Sequence, residues 1–486
     1  MRKLLVANRG EIAVRVMRAA RELGVATVAV YADADAGAQH VRLADEAVHL
    51  GASAPAESYL SIPKLVAAAR AVGADAVHPG YGFLAENMEF AFAVLDAGLT
   101  WVGPEPGVIR AMGDKANARA FAAAAGVPVL PGAAVDDPAA LAALGFPLLV
   151  KAVAGGGGRG MREVAEAAAL LDAVTAASTE AAAAFGDGRL YAERLWRPAR
   201  HVEVQVLGDA AGGAAAVGVR DCSTQRRGQK LLEESPAPHL PTPTVEALED
   251  AARRITFGLG YAGAGTVEFL VGPDGGFAFL EMNTRIQVEH GVTELVTGLD
   301  LVVEQLRIAA GARVPAIPSP RGWAIQARIC AEDRAFRPAP GRLGRVEWPS
   351  GPGIRVDAGY TGGDEVPAVY DSLLAKVLAW GPDRETARRR LIGALGELQV
   401  EGVPTTAGLL REVLGAKAFI AGAVHTRWLE DELAGPLPAP VLARIAAAWV
   451  ASRGGQAGAP STTAAGDADP GRTTDPGPWR TLGRWP

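Results

Sequence analysis

The strongest structural signal in this sequence is the segment Gly265-Thr-Val-Glu-Phe-Leu-Val-Gly-Pro-Asp-Gly-Gly-Phe-Ala-Phe-Leu-Glu-Met-Asn283. Two runs rich in β-branched and aromatic residues flank Pro273-Asp-Gly-Gly276, which is a sequence typical of a turn. The pattern therefore predicts a β-hairpin, with an antiparallel pair of strands in the middle of the chain.

The register of this hairpin brings acidic side chains together. A four-residue loop pairs residue 272 with residue 277 and places Glu268 directly opposite Glu281, with Cα atoms about 4.5–5.5 Å apart. Carboxylates this close repel each other unless a positive charge lies between them. Asn283 shares the face of Glu281, because side chains alternate along a strand. Two carboxylates and an amide oxygen suit a Mg²⁺ ion that bridges nucleotide phosphates, whereas the alternative is a solvated strand face with two unrelated acids.

The segment that follows is Thr284-Arg-Ile-Gln-Val-Glu-His290, in which polar and apolar residues alternate. As an extended segment it points Arg285, Gln287 and Glu289 to one side. An arginine, an amide and a carboxylate beside a metal site can bind a small oxyanion and remove its proton. The alternative interpretation is the polar edge of a strand.

A second candidate site is the glycine-rich loop in Val150-Lys-Ala-Val-Ala-Gly-Gly-Gly-Gly-Arg-Gly-Met161, which follows a predicted strand at residues 147–151. Glycines leave the backbone N–H groups open to an anion, and Lys151 adds a point charge suited to phosphate. The spacing is not that of a Walker loop. The flanking Lys and Arg favour phosphate binding over the alternative of a flexible surface hairpin.

A third segment, Arg220-Asp-Cys-Ser-Thr-Gln-Arg-Arg-Gly-Gln-Lys230, is locally basic. It lacks interleaved aromatic residues and the whole chain is acidic, so anion binding is a better interpretation than a nucleic-acid surface. Nothing marks Cys222 as a nucleophile, and a structural role is expected for it. His201 lies in a predicted strand at 200–206, where spacing alone assigns it no role.

The rest of the chain predicts an α/β protein. Strands and helices alternate over the first 110 residues or so, which indicates a parallel sheet covered by helices, and the first turn lacks the G-x-G-x-x-G of dinucleotide-binding folds. The predicted elements include helices at 11–23, 56–72, 116–125 and 384–398 and strands at 27–31 and 76–78.

Composition excludes several classes of protein. The 486 residues are 49% hydrophobic and 21% charged, which is ordinary globular usage, and the net charge of −6 gives no basic field for nucleic acid. No apolar run reaches about 18 residues and the N-terminus lacks a signal-peptide core, so a cytoplasmic protein without a membrane span is expected. Two cysteines exclude a disulfide framework and a cysteine-based zinc site.

Lysine is rare in this chain, so a retained lysine hints that a compact ammonium group is needed. Among the 48 basic residues the lysines are Lys3, Lys64, Lys115, Lys151, Lys230, Lys376 and Lys417.

Taken together, these segments closely resemble the biotin carboxylases, which are ATP-grasp enzymes. The resemblance covers about residues 1–432. The matching motifs are Ala7-Asn-Arg-Gly-Glu-Ile12, His78-Pro-Gly-Tyr-Gly-Phe-Leu-Ala-Glu-Asn87, Met112-Gly-Asp-Lys115, the glycine-rich loop, Arg200-His-Val-Glu203, Arg220-Asp-Cys222 and Glu281-Met-Asn-Thr-Arg-Ile-Gln-Val-Glu-His290. The last of these is the most specific.

The resemblance implies a domain organisation. It implies a Rossmann-like parallel-sheet domain at residues 1–111, an ATP-grasp domain at 112–318 with a mobile lid at about 122–197, and an α+β domain at 319–435. Residues 436–486 are rich in Gly, Ala, Pro, Ser and Thr, and they are expected to form a linker or a disordered tail.

The resemblance also implies the roles of individual residues. For ATP they are Lys115, Lys151, Gly157, Gly158, Glu193, Arg194, Leu195, Trp196, His201, Glu268 and Glu281. For two Mg²⁺ or Mn²⁺ ions they are Glu268, Glu281 and Asn283. For bicarbonate and biotin they are Lys230, Arg285, Gln287, Val288 and Arg355. The implied catalytic residues are Glu289 as the base that deprotonates bicarbonate, with Arg285, Lys230 and Arg355.

The implied activity is the ATP- and bicarbonate-dependent carboxylation of biotin through carboxyphosphate, which is the first half-reaction of an acetyl-CoA or other acyl-CoA carboxylase. The chain has no Ala-Met-Lys-Met segment, so biotin is expected on a separate carrier protein. A carboxyltransferase subunit and a second copy of this chain, as a homodimer, are the other expected partners. Another ATP-grasp ligase and a non-catalytic ATP-binding subunit remain alternatives.

The sequence departs from the family pattern at three positions. Gly228 stands where His is usual, Gly291 replaces the usual Pro, and Gln326 in Gln-Ala-Arg328 replaces the usual Glu. None of the three is an implied metal ligand, base or arginine. The change at Gly228 predicts a weaker contact with ATP.

Overall fold

A computed structural model describes residues 1–153 and 161–432 of the chain. The N-terminal region alternates strands and helices as predicted. Its elements are β1 (Lys3–Val6), α1 (Gly10–Glu22), β2 (Ala26–Ala32), α2 (Gln39–Leu43), β3 (Glu46–Gly51), α3 (Ile62–Ala71), β4 (Ala76–His78), α4 (Met88–Asp96), β5 (Thr100–Trp101) and α5 (Pro106–Gly113). All five strands are parallel, in the order β3-β2-β1-β4-β5. This order, which reverses at β1, confirms the Rossmann-like sheet.

The prediction of a helix at 56–72 is wrong for residues 56–61. A short 3₁₀ turn covers Pro55–Glu57, and α3 begins only at Ile62. The reason is Pro63, which lacks an N–H group and clashes with the preceding turn unless it lies at the start of a helix.

The middle region contains a small sheet that lies within the predicted lid and a larger set of long strands. The elements are α6 (Lys115–Ala124), β6 (Gly132–Ala134), α7 (Pro138–Leu144), β7 (Leu148–Ala152), β8 (Arg162–Val164), α8 (Leu170–Phe185), β9 (Leu190–Arg194), β10 (Arg200–Gly208), β11 (Ala214–Arg226), β12 (Gln229–Ser235), α9 (Thr242–Gly258), β13 (Gly263–Val271), β14 (Phe277–Asn283), α10 (His290–Thr297) and α11 (Leu301–Ala309). The small sheet is antiparallel, in the order β6-β9-β7-β8.

The C-terminal region mixes short strands with helices. Its elements are β15 (Trp323–Cys330), β16 (Gly341–Arg342), β17 (Val346–Glu347), β18 (Ile354–Ala358), β19 (Glu365–Val366), β20 (Leu373–Gly381), α12 (Arg384–Glu397), β21 (Gln399–Val400), α13 (Ala407–Gly415), α14 (Lys417–Ile420) and α15 (Trp428–Glu432). The predicted tail at 436–486 lies outside the described residues.

An eight-stranded antiparallel sheet joins the middle and C-terminal regions. Its order is β14-β13-β10-β11-β12-β15-β20-β18. The sheet therefore continues across residues 318 and 319, and the domain boundary expected there stays a prediction. Within the described residues, every helix is too short or too polar to cross a membrane.

The predicted hairpin forms, but its loop is one residue longer than predicted. Val271 pairs with Phe277, so the predicted pairing of residues 272 and 277 is wrong. A register shift between Glu268 and Phe269 restores the expected alignment, and Glu268 does lie opposite Glu281. Such a shift is a β-bulge, in which one extra residue is accommodated in one strand. The predicted pair of acids is thus confirmed, although the loop length and the strand register that produce it differ from the prediction.

Helix caps and buried side chains fix where the functional segments lie. Asn87 and Asp114 accept backbone N–H bonds at the starts of α4 and α6, as expected of N-cap residues. Ile286 is fully buried in the core that β1, α1 and α11 share with β10 and β13. Burying Ile286 removes an isoleucine side chain from water, which is worth about 1.5–3 kcal/mol, and it anchors the polar residues on either side of it.

Candidate active site

Lys230, on β12, lies at the centre of a buried cluster of three carboxylates. Its Nζ is 2.6 Å from Glu203 Oε2, 2.9 Å from Glu268 Oε1 and 2.6 Å from Glu289 Oε1. Glu203 comes from β10, Glu268 from β13 and Glu289 from the turn before α10, so three separate elements converge on one ammonium group. A buried charge must be paired, and here a single cation satisfies several acids at once.

The charges in this cluster stabilise one another. Burial opposes the charge on Lys230, but the three glutamates outweigh it and hold its pKa well above the usual lysine range. Burial likewise disfavours ionised Glu289, yet Lys230 and then Arg328 hold its pKa well below the usual glutamate range. Glu289 is therefore a carboxylate at neutral pH, which a proton acceptor must be.

Glu203 and Glu289 each have a second cationic partner. Arg220, which is fully buried, donates from Nε to Glu203 Oε1 at 2.5 Å. Arg328 donates from Nη2 to Glu289 Oε2 at 3.0 Å. The Sγ of Cys222 lies 4.0 Å from Glu289 Oε1, and burial raises the pKa of this thiol well above its usual value. Cys222 is thus a neutral packing group beside the site, in agreement with the structural role expected for it.

The segment that contains Arg285, Gln287 and Glu289 is not one extended strand. β14 ends at Asn283, and the backbone at Glu289, the N-cap residue of α10, is no longer extended, with φ −84° and ψ 7°. The prediction that alternation alone points these side chains one way is therefore wrong. Instead the buried side chain of Ile286 fixes one end of the segment, and the first turn of α10 fixes the other.

The side chains of this segment still meet the cluster at two places. Gln287 donates to Glu268 Oε1 at 3.1 Å. Arg285 is ion-paired with Glu86 at 2.9 Å and donates to Asn283 Oδ1 at 2.9 Å. Arg285 therefore reaches the predicted metal ligand Asn283, and Gln287 reaches the predicted ligand Glu268. Glu289 binds the ammonium group of Lys230.

The backbone carbonyl of Val288 accepts a hydrogen bond from a buried lysine. Lys376, a fully buried lysine on β20, donates to this carbonyl at 3.0 Å and is ion-paired with Glu11 at 3.1 Å. The backbone between Gln287 and Glu289 is thus tied to both β20 and α1.

The predicted metal ligands carry an excess of negative charge. Burial and the neighbouring Glu268 raise the pKa of Glu281, and Lys115 offsets this only in part. Glu268 Oε2 is 2.9 Å from His201 Nε2, and among the described residues the ligand atoms of His201, Glu203 and Glu268 lie within 4.8 Å of one another. Two facing acids of this kind fit a hard divalent cation.

Asn283 is oriented differently from the other predicted ligands. Its amide nitrogen donates to Glu268 Oε1 at 2.9 Å, while its oxygen accepts from Arg285. The amide group must turn before its oxygen can face a cation beside Glu268.

The predicted nucleotide lysines lie at the edge of the same site. Lys151, on β7, and Arg119, on α6, both form ion pairs with Glu193 on β9. Burial lowers the pKa of Lys115, the first residue of α6, and Glu281 partly restores it. The side chain of Glu193 is thus occupied by cations, whereas the side chain of Arg194 donates to the carbonyl of Leu144 at 2.7 Å.

A cleft of about 890 Å³ opens between the small sheet and the large one. Its lining includes Lys151, Leu195, Trp196, His201, Leu270 and Leu280. The cleft combines apolar and aromatic side chains with several charged residues, and this combination suits a nucleotide base and its phosphates. The lid glycines Gly157 and Gly158 lie outside the described residues.

Arg355, on β18, lies apart from the lysine-centred cluster. It donates from Nη1 to Glu294 on α10 at 2.7 Å and from Nη2 to its strand neighbour Asp357 at 2.8 Å. Its side chain is one-quarter exposed, so part of the guanidinium remains open to solvent.

Local geometry accounts for two of the three departures from the family pattern. Arg227 and Gly228 form a two-residue hairpin loop with φ of 51° and 81°, and glycine suits such a left-handed position. A Cβ at Gly291 would lie 2.6 Å from Leu378 Cδ2, so Leu378 takes up the space that a larger residue at 291 needs.

Sequence reasoning missed several residues of the site because their partners are remote in the chain. They are Glu86, Glu203, Arg220, Glu233, Arg328 and Lys376. A usable signal existed for two of them. Glu203 and Arg328 each lie in a strand that is otherwise rich in apolar residues, and a buried charged residue there demands a partner.

Comparison with known proteins agrees with this geometry. Family models match three consecutive parts of the chain: the biotin carboxylase N-terminal domain at residues 1–109, the carbamoyl-phosphate synthase L chain ATP-binding domain at 114–317, and the biotin carboxylase C-terminal domain at 326–431.

Two curated relatives and one solved structure illustrate the similarity. A biotin carboxylase from Nostoc sp. is 47% identical over 440 residues, covering 88% of this chain and 98% of the relative. The α3 subunit of a biotin-dependent acyl-coenzyme A carboxylase from Mycobacterium leprae is 48% identical over 444 residues, covering 88% of this chain and 74% of the relative.

The solved structure is the biotin carboxylase domain dimer of 2-oxoglutarate carboxylase from Hydrogenobacter thermophilus, in complex with MgADP, ADP and bicarbonate. It superposes with a TM-score of 0.86 at 43% identity, covering 89% of this chain and 98% of that one. The similarity in sequence and structure spans the sheets and the site described above. The chain belongs to the biotin carboxylase family.

Proposed function

We propose that this chain carboxylates biotin with ATP and bicarbonate. The observation that carries the proposal is the buried contact of Lys230 with Glu289 and Glu268, because it joins a cation, an ionised base and a metal-ligand acid in one place. A ligase of another substrate class does not require this combination, and a non-catalytic ATP-binding subunit has no use for an ionised buried base.

Glu289 acts as the base in this proposal. It accepts the proton of bicarbonate, and the oxygen so formed attacks the γ-phosphorus of ATP as ADP leaves, which yields carboxyphosphate. An ordinary glutamate has a pKa near 4.3, far below that of bicarbonate, so the proton moves only if nearby cations stabilise the carbonate dianion. Lys230 and Arg285 supply that charge, and Gln287 and the backbone of Val288 orient the substrate.

The nucleotide occupies the cleft beside Trp196 and His201. Lys115, Lys151, Gly157 and Gly158 stabilise its phosphates, and the hinge at residues 193–196 contacts the base. Two Mg²⁺ or Mn²⁺ ions held by Glu268, Glu281 and Asn283 would offset the negative charge of the phosphates. Closure of the lid at about 122–197 excludes water, which would otherwise hydrolyse carboxyphosphate.

Arg355 serves the biotin half of the reaction. Carboxyphosphate breaks down to CO₂ and phosphate, the phosphate takes the ureido N–H proton of biotin, and the nitrogen then bonds to CO₂. The exposed part of the Arg355 guanidinium stabilises the enolate-like oxygen that develops on the ureido group. Glu294 and Asp357 support this role by fixing the arginine on two sides.

The proposed partners are a biotin carboxyl carrier protein, a carboxyltransferase subunit and a second copy of this chain as a homodimer. The carboxyltransferase subunit selects the final acceptor of the carboxyl group, and we propose an acyl-CoA carboxylase of the cytoplasm, with acetyl-CoA and fatty acid biosynthesis as the first assignment. The proposed domains are those stated from the sequence, at residues 1–111, 112–318 and 319–435.

The test is ATP hydrolysis with Mg²⁺, measured with and without bicarbonate and free biotin. We expect hydrolysis that requires bicarbonate and rises with biotin, and we expect Glu289→Gln and Arg285→Ala to abolish the bicarbonate-dependent part. The exposed Glu397→Gln is the matched control and should behave as the wild type. Hydrolysis that ignores bicarbonate would favour another ligase, and ATP binding without hydrolysis would favour a non-catalytic subunit.

A further inference from the structure

Arg328 lies between two buried glutamates that come from different elements. Its Nη2 donates to Glu289 Oε2 at 3.0 Å, and its Nε donates to Glu233 Oε1 at 2.5 Å. The side chains of both glutamates are fully buried, while that of Arg328 is 15% exposed. A planar guanidinium with two carboxylate partners has a fixed orientation, unlike a lysine ammonium on a flexible stem.

Glu233 is itself held on both of its oxygens. It pairs with Gln326 across the ladder of β12 and β15, and the Gln326 amide donates to Glu233 Oε2 at 2.9 Å. Arg328 occupies the other oxygen. Gln326, Glu233, Arg328 and Glu289 therefore form a continuous hydrogen-bonded chain that ends at the proposed base.

This chain of contacts fixes the rotation of the Glu289 carboxylate, because both of its oxygens are held. Arg328 binds Oε2, whereas Oε1 points to Lys230, which is also in contact with Glu268. Without Arg328, rotation of the carboxylate group would no longer be restrained on the side opposite Lys230. A displacement of about 1 Å at a reacting group can cost about 100-fold in rate.

We propose that Arg328, held in place by Glu233 and Gln326, is a positioning residue that orients the carboxylate of Glu289 toward bicarbonate. The proposal rests on the proposed function, since it assumes that Glu289 is the base. The proposal also explains Gln326, one of the positions at which the sequence departs from the family pattern. Its amide donates a hydrogen bond to Glu233 and adds no further buried negative charge.

The structure offers a matched control one residue away. Glu234 follows Glu233 on β12 and points to the opposite face of the sheet, where Arg384 holds it with bonds of 2.6 and 2.9 Å. This second arginine–glutamate pair is buried to a similar degree, and in the described part of the chain its hydrogen bonds do not reach Glu289. Arg384→Lys therefore disrupts an equivalent pair that does not reach the base.

The experiment compares Arg328→Lys, Arg328→Met and Arg384→Lys in bicarbonate-dependent ATP hydrolysis with free biotin. We expect kcat to fall about 10- to 100-fold in the Arg328 variants, with the KM for ATP unchanged within about twofold, and Arg328→Lys to retain more activity than Arg328→Met. Arg384→Lys should keep the wild-type kcat, although its thermal unfolding midpoint falls as much as that of Arg328→Lys. An equal loss of kcat in both lysine variants would overturn the proposal.

A double variant separates positioning from a general structural effect. The background for this test is Glu289→Asp, which keeps a carboxylate and measurable activity but moves the carboxylate away from Arg328. If Arg328 acts only through Glu289, then Arg328→Met adds no further loss of kcat to Glu289→Asp, because the two residues act as a unit. A further loss of the size seen in the single variant would overturn the proposal. If Arg328→Met does not fold, the same comparison is made with Arg328→Lys.

The outcomes also separate this proposal from the proposed function. If wild type shows no bicarbonate-dependent hydrolysis, or if Glu289→Gln retains it, the proposed function fails and the positioning role fails with it. If Glu289→Gln abolishes the activity while both Arg328 variants match wild type, only the positioning role is overturned.

Discussion

The parallel N-terminal sheet and the large antiparallel sheet bury very different side chains. In β1, Leu4, Leu5 and Val6 are fully buried and belong to two clusters of apolar side chains. In β10, Glu203 and Gln205 are just as fully buried, and both hydrogen-bond to Arg220. The first sheet is stabilised by burial of apolar surface, whereas the second must also satisfy a network of buried charges.

This difference shows where function can lie in the molecule. An apolar strand tolerates exchange of one hydrophobic residue for another, but it offers no group for proton transfer or ion binding. A buried network of charges costs free energy of desolvation, which its own partners must offset. The catalytic residues proposed above lie in the second kind of environment, and removing a residue should therefore have different consequences in the two sheets.

The largest effect is expected from Lys230→Met, which leaves Glu203, Glu268 and Glu289 without their shared ammonium. Breaking a buried pair from one side costs about 3–5 kcal/mol, so the free energy of unfolding should fall by about that amount. Bicarbonate-dependent ATP hydrolysis should fall more than about 100-fold. Urea denaturation and steady-state kinetics on the same preparation measure the two quantities.

The control for Lys230→Met is Lys3→Met on the parallel sheet. Lys3 pairs with the half-exposed Glu46 at 2.6 Å, and an exposed pair of this kind contributes about 0–1 kcal/mol. A loss of stability in Lys3→Met as large as that in Lys230→Met would contradict the distinction between the two sheets.

The next largest effect is expected from Leu5→Ala in β1. The side chain is fully buried, and deleting a buried leucine costs about 2–5 kcal/mol through lost burial and the cavity that remains. Because β1 carries none of the charged cluster, the kcat of the folded fraction should stay within about twofold of the wild type at 20 °C. A loss of kcat without a loss of stability would mean that the parallel sheet takes part in the chemistry.

The sequence predicts the parallel sheet well because its signal is local. Short apolar runs alternate with helical spacing, and they identify β2 and β4, whereas β3 and the two-residue β5 are not among the predicted strands. The pair of Glu268 with Glu281 is also predicted correctly, but only because the longer loop and a bulge offset each other. The bulge, between Glu268 and Phe269, could not be predicted, because it changes the register without changing the identity of the paired acids.

The charged cluster is harder to predict because its contacts are long-range. Arg328 meets Glu233 and Glu289 only after β12, β15 and the turn before α10 have come together. The direction of Arg285, Gln287 and Glu289 also depends on Ile286, whose place in another core no pattern within residues 284–290 reveals. Sequence resemblance assigns roles to individual residues, but only the structure shows the contacts that orient their side chains.

A third prediction concerns pH and the two buried histidines of the N-terminal region. Burial lowers the pKa of His40 and of His78 to about 4, below the value of about 6.5 in an unfolded chain. Between those values the unfolded chain binds more protons than the native protein, so stability falls as pH decreases. Each histidine should remove about 2 kcal/mol between pH 7 and pH 5.

The measurement is urea denaturation at pH 7 and pH 5 for the wild type and for His40→Gln, in which the buried imidazole is absent. The variant should lose about 2 kcal/mol less on acidification than the wild type does. His78→Gln, in which the second buried imidazole is absent, should show the same reduction. Equal pH dependence in all three proteins would show that His40 is not neutral in the native state.

The smallest effect is expected at the edge of the charged sheet, where Gly228 lines the nucleotide cleft without a side chain. In Gly228→His an imidazole could reach the nucleotide and add one hydrogen bond, worth about 0.5–1.5 kcal/mol. The KM for ATP should therefore decrease by about two- to tenfold, with kcat nearly unchanged. The same substitution should destabilise the protein although it strengthens ATP binding. Gly228 has a φ of 81°, and an L-residue with this φ costs about 1–2 kcal/mol of stability.

Gly228→Ala separates these two contributions, since alanine has the same backbone cost and no imidazole. If the histidine acts on the nucleotide, calorimetric titration with ATP should show tighter binding for Gly228→His only, while both variants lose similar stability. Equal ATP affinity in the two variants would mean that the cleft does not bring the nucleotide within reach of residue 228. A side chain at residue 228 would then only strain the hairpin loop. The departure from the family pattern at Gly228 would concern the β11–β12 turn rather than the substrate.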